Sequence, residues 1–107
     1  MAEGVSIILT TVANDQHAAE IGDMLLTENL AACIQEIPIR SRYRWKGAVQ
    51  CDSEVLLLVK TAHDRVAAAV DAIRKNHRYE LPEILVVPSS AGLAEYVAWV
   101  SAETATR

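Results

Sequence analysis

The stretch that most constrains this chain runs from Cys33 to Thr61 and reads CIQEIPIRSRYRWKGAVQCDSEVLLLVKT. Through its middle, Arg40, Arg42, Arg44 and Lys46 alternate with Ser41, Tyr43 and Trp45. Alternation with a period of two is a strand signal, because successive side chains leave opposite faces. Lys46-Gly47 is the natural turn, since Gly47 can take positive φ without a Cβ penalty. The returning arm ends in Val55-Leu56-Leu57-Leu58-Val59, an unbroken apolar run of the kind found in strands covered on both faces. The pattern predicts one long β-hairpin, with arms roughly twice the usual strand length of ~5–6 residues. A chain of 107 residues cannot cover all of such a hairpin, so its distal half is expected to meet another copy of itself.

The turn position predicts a register in which Trp45 faces Ala48, Arg42 faces Cys51 and Cys33 faces Lys60. Cys33 and Cys51 then lie about 30 Å apart at ~3.3 Å per residue, far beyond disulfide reach. The opening MAEGVSII lacks a basic n-region and enters strand-like sequence at once, which predicts no signal peptide. Two free thiols and a cytoplasmic location follow as expectations.

The remainder arranges itself around the hairpin. Residues 1–107 read as a single domain, with no linker, repeat or low-complexity segment. Strand one is Val5–Thr11, followed by a helix capped by Asn14 or Asp15, with Ala18, Ile21 and Leu25 on its apolar stripe, running to about Asn29. Pro38 restricts strand two to a sheet edge or a bulge. A second helix starts near His63 or Asp64, with Val66, Val70, Ile73 and His77 on one face. Strand four is Glu83–Val87, and Ser89 or Ser90 caps a last helix carrying Leu93, Val97 and Val100. The tail from Ala102 is expected to fray. The order β-α-β-β-α-β-α predicts an α+β fold, a ferredoxin-like βαββαβ sandwich with an extra C-terminal helix and a long β2–β3 hairpin. Its strand order, 4-1-3-2, puts Thr10, the Trp45–Gly47 tip, Asn76 and His77 at one pole, and Cys33 and Lys60 at the other.

Composition removes several functions. The net charge is −4, which argues against general nucleic-acid or membrane-surface binding. No apolar run approaches ~20 residues, so no membrane span is predicted. The run RSRYRWKG is basic and aromatic, but strand one (VSIILTT) has no aromatic on which a base would stack. Its charges are better read as a deterrent to indiscriminate strand pairing along an exposed edge. Metal-ligand spacing is poor, without Cys-x-x-Cys or a His pair at helical spacing, and no nucleophile elbow or phosphate loop is present. The most chemically loaded segment is Asn76–Glu83 (NHRYELPE). Its plainest reading is a His77 favouring the negative end of a helix, with Tyr79 packed over the turn. A loop holding an imidazole, a phenol and carboxylates is also suited to binding a ligand.

Taken together, ENLAACI (Glu28–Ile34), Tyr43-Arg44-Trp45-Lys46-Gly47, Glu54, Lys60-Thr61, HRYELPEIL (His77–Leu85), Tyr96 and Trp99 closely resemble the CutA family of divalent-cation tolerance proteins. The resemblance covers nearly the whole chain in order. It implies a non-catalytic cytoplasmic homotrimer assembled through the long hairpins, linked to tolerance of copper and other divalent cations. Family members credited with copper ligation carry a Cys near the end of strand one and a His pair before the Tyr. This chain has Thr10 at the first place and Asn76-His77 at the second. Against that pattern, copper binding is expected to be weak and centred on His77, and the hairpin topology adds Cys51 as a donor where a neighbouring subunit brings it near. Two other functional classes remain open. One is a signalling module of the trimeric PII type, holding a small ligand in an intersubunit cleft lined by Trp45, Lys60, Tyr79 and Glu83. The other is a small enzyme using His77, Tyr79 and Glu83.

Overall fold

The computed structural model describes residues 4–106. Strand β1 (Val5–Val12) leads into helix α1 (Asp15–Thr27), then the hairpin β2 (Cys33–Trp45) and β3 (Ala48–Ala62). A 3-10 turn at His63–Arg65 precedes α2 (Val66–Asn76), which is followed by β4 (Ile84–Pro88) and α3 (Ala94–Glu103). The sheet is antiparallel in the order β2-β3-β1-β4, the expected ferredoxin-like order. β2 is an edge strand, which is what lets Pro38 sit within it without removing a ladder bond from a second neighbour.

The hairpin follows the predicted register throughout: Trp45 pairs with Ala48, Arg42 with Cys51, and Cys33 with Lys60. Lys46 (φ 49°) and Gly47 (φ 83°) both have left-handed backbone, as a two-residue turn matched to strand twist requires. β1 covers β3 only from Val55 to Ala62. Residues 48–54 therefore pair with β2 alone, as a two-stranded ribbon about 23 Å long at ~3.3 Å per residue. The ribbon makes the molecule elongated, 45 × 26 × 21 Å.

One face of the sheet carries Ile8, Val12, Val55, Leu57 and Val59 into a core completed by Ile21 and Leu25 of α1 and by Ala69 and Ile73 of α2. The α1 ends are well defined. The Asn14 side chain accepts from the His17 amide at 2.9 Å, a cap. At the other end Asn29 takes φ 57°, and the amides of Asn29 and Leu30 reach the carbonyls of Leu26 and Leu25. That is a Schellman closure, with Leu30 buried beneath it. It stops α1 two residues before the expected limit.

Several local expectations are corrected. α2 buries Ala69 and Ile73; Val66 and Val70 are half-buried, and His77 lies just past the helix end. The last helix begins at Ala94 with no side-chain cap, because Ser89 instead donates its hydroxyl to the Val5 carbonyl at 2.6 Å. Of the apolar stripe foreseen for it, Val100 is buried while Leu93 is exposed. The C-terminal segment is tied down at Thr104, which is fully buried and donates to the Val100 carbonyl. Both cysteines are free thiols.

Candidate functional site

The end of β1, the hairpin ribbon and the loop after α2 enclose an open cleft of about 1060 Å³. Thr11 lies on its floor, Tyr43, Trp45 and Glu54 on one side, and Tyr79 to Glu83 on the other. This is the pole foreseen from topology. Glu54 and Thr11 face away from the helices, because their neighbours Val55 and Val12 point into the core.

Tyr79 spans the cleft and donates its hydroxyl to Glu54 Oε2 at 2.7 Å. Burial, then the hydrogen bond to Glu54 and its charge, push the Tyr79 phenol well above the ordinary tyrosine range. Next to it, Tyr43 donates to Asp52, and that bond is the main cause of the raised pKa of Tyr43. At the tip, Lys46 lies 5.6 Å from the centroid of the Trp45 ring and 3.8 Å from Glu80. Both charged groups are exposed, so this pair contributes little to stability.

His77 joins the loop to the sheet. Its Nε2 lies 2.8 Å from the Thr11 carbonyl, and its Nδ1 lies 3.1 Å from the Tyr79 amide. A carbonyl only accepts and an amide N–H only donates, so the ring is neutral with its proton on Nε2. Burial lowers the His77 pKa below the ordinary histidine value, opposed by the Thr11 carbonyl. His17 meets the same ring edge-on, with centroids 5.1 Å apart. It is 1% exposed, and neither of its ring nitrogens has a hydrogen-bond partner among the described residues. Sequence reasoning missed His17, although it sits one residue before Ala18 on the inward side of α1.

Of the four residues foreseen around an intersubunit ligand cleft, Trp45, Tyr79 and Glu83 come together within one protomer. Lys60 does not join them within one protomer. It pairs with Cys33 at the opposite end of the hairpin and borders a small cavity with Tyr96 and Val97.

Comparison with known proteins agrees with this architecture. The model of the family described as CutA1 divalent ion tolerance protein matches residues 6–103. The chain belongs to that family. Among CutA relatives, the human "Protein CutA" is 40% identical over 97 residues, covering 90% of this chain and 54% of that one. The "Divalent-cation tolerance protein CutA" of Thermus thermophilus is 37% identical over 99 residues, covering 92% of this chain and 96% of its own. The solved structure of CutA from Xylella fastidiosa superposes with a TM-score of 0.92 at 37% identity, covering 95% of this chain and 99% of that one. The chain spans only 54–56% of the length of the rice, Arabidopsis and human relatives.

The copper ligands suggested by resemblance to CutA do not converge in this protomer. The Thr10 hydroxyl is buried without a hydrogen-bond partner among the described residues on the helix-facing side of β1, opposite to Thr11. Asn76 turns its amide back onto the Ala72 carbonyl of its own helix at 2.8 Å. Cys51 is exposed on the ribbon, and both nitrogens of His77 are engaged by backbone. Among the described residues no group of three or more His, Cys, Asp or Glu is placed to hold a metal ion. This donor set does not fit a copper site.

Proposed function

We propose that this chain acts as a non-catalytic homotrimer of the CutA type, contributing to divalent-cation tolerance in the cytoplasm, with its hairpins pairing between protomers. The observation that carries the reading is the ribbon. Residues 48–54 have a strand neighbour on one side only, and Ile37, Tyr43 and Val49 on the two arms are exposed in the single protomer. A second and a third copy would cover that surface. The partner is thus the chain itself, rather than nucleic acid or membrane; no helix among the described residues is long and apolar enough to cross a bilayer. The names of the relatives supply the class of ion, divalent cations, and copper belongs to that class. The residues of this protomer support at most weak contact with such ions.

The absence of a catalytic role is supported by the state of the three residues that an enzyme here would use. His77 has no free nitrogen and the Tyr79 hydroxyl donates to Glu54. Glu83 is exposed at the cleft and is not joined to either of them, so the three form no proton relay among the described residues.

A second reading, a PII-type module with a small ligand between subunits, is favoured by the cleft itself, which gathers Trp45, Tyr79 and Glu83. Native mass spectrometry of protein purified gently from cells separates the two. The CutA reading expects a trimer that carries no organic ligand. A stoichiometric nucleotide or metabolite on the trimer transfers the function to signalling, and a monomer contradicts both readings.

A further inference from the structure

We infer that His77 is a backbone pin rather than a metal ligand in this chain: it ties the loop that walls the cleft to the end of β1, and the metal site that the family resemblance suggests at this pole is absent. The inference does not depend on assembly, because every atom it invokes belongs to one protomer.

A metal ligand must offer a lone pair. In the neutral imidazole only one nitrogen has one, and here that nitrogen, Nδ1, accepts from the Tyr79 amide. The other, Nε2, spends its proton on the Thr11 carbonyl. Ligation through Nδ1 would strip the Tyr79 amide of its acceptor. Ligation through Nε2 would require that proton to leave and the Thr11 carbonyl to lose its donor. Either change detaches the loop that positions Tyr79 against Glu54.

The surroundings point the same way. A metal-bound histidine ordinarily has its second nitrogen fixed by a carboxylate or carbonyl while the first faces an open, polar space. His77 has backbone on both nitrogens and the buried ring of His17 against its side. The side chain one position earlier, Asn76, belongs to α2, where it caps the Ala72 carbonyl. The remaining suggested donor on β1, the hydroxyl of Thr10, lies on the other side of the strand from Thr11 and the cleft. Copper prefers thiolate and imidazole; here the imidazole is engaged on both nitrogens, and the free thiol of Cys51 stands exposed on the ribbon, outside any group of three His, Cys, Asp or Glu among the described residues.

The test is long-range proton–nitrogen NMR of the imidazoles in uniformly 15N-labelled protein at pH 7.5. The chain has three histidines, so the spectrum is simple. The expected pattern for His77 is a protonated Nε2 and an unprotonated Nδ1, unchanged and unbroadened when Cu(II) sulfate is added below stoichiometry. His77→Ala should lower the melting temperature by several degrees and leave the Cu(II) isotherm unchanged. His77→Gln, whose side-chain amide can still donate to the Thr11 carbonyl, should recover part of the loss. Early broadening of His77 by Cu(II), or a loss of Cu(II) affinity of about tenfold or more in both variants, overturns the inference. Both results would do so even if the remaining ligands came from another copy. Neither result would alter the trimer mass, so failure here is distinct from failure of the assembly.

Discussion

The Tyr79 hydroxyl donates to Glu54 at 2.7 Å, across 25 positions of sequence. This one bond links the loop after α2 to the stem of the hairpin ribbon. It lies where β1 ends and β3 leaves the sheet, since Val12 pairs with Val55 and Glu54 is the next residue out. The ribbon and the loop therefore hold a common position at the mouth of the cleft.

Tyr79→Phe keeps the ring and removes this link. The cost expected is about 1–2 kcal/mol, toward the upper range for a neutral hydrogen bond because the acceptor is a carboxylate, and tempered by partial exposure. Urea unfolding of parent and variant at one protein concentration measures it. A difference within error would show that the bond is replaced by solvent at no cost.

Acid should weaken the fold through His77. Its folded-state pKa is lowered, chiefly by burial, so the unfolded chain takes up a proton first as pH falls. The stability this contributes is complete above the unfolded value of ~6.5 and declines as pH drops through the lower, folded value. Melting temperature against pH should fall below about 6.5, and His77→Gln should flatten that fall. Equal slopes for parent and variant would assign the acid sensitivity to other groups.

The turn has its own test. Gly47 has φ 83°, and an added Cβ would meet nothing within 4 Å. The cost of Gly47→Ala is then conformational alone, about 1–2 kcal/mol for a left-handed alanine. Lys46→Asn, at φ 49°, should be neutral or stabilising, because Asn-Gly suits this turn. Thermal unfolding of both variants decides the point, and a destabilised Asn variant would mean that the Lys46 side chain matters more than its backbone.

How much of this was legible in the sequence depended on how local the determining physics was. The hairpin register was readable from one dipeptide, since a two-residue turn at Lys46-Gly47 sets every pair from Trp45–Ala48 to Cys33–Lys60. The helix after Asn14 was readable because its cap and stripe are contiguous. The start of α3 was not, because Ser89 spends its hydroxyl on Val5, a residue far away in sequence. His17 escaped notice for a similar reason: a lone inward histidine gains meaning only when the ring of His77 is placed beside it. His77 was visible as chemistry, but its commitment to two backbone partners was not, since Thr11 joins it only through the fold. Lys60 can share a cleft with Trp45 only between subunits, because within one protomer the register separates them along the length of the hairpin.

The central claim, that the hairpins assemble three copies, is tested most directly by light scattering coupled to size exclusion at micromolar concentration. The account predicts a mass three times the 11.7 kDa of the chain. It further predicts that Trp45→Arg, which places a charge at the hairpin contact, shifts the population toward smaller species. A parent mass of one chain would contradict the account, as would a Trp45→Arg variant that stays fully trimeric and as heat-resistant as the parent.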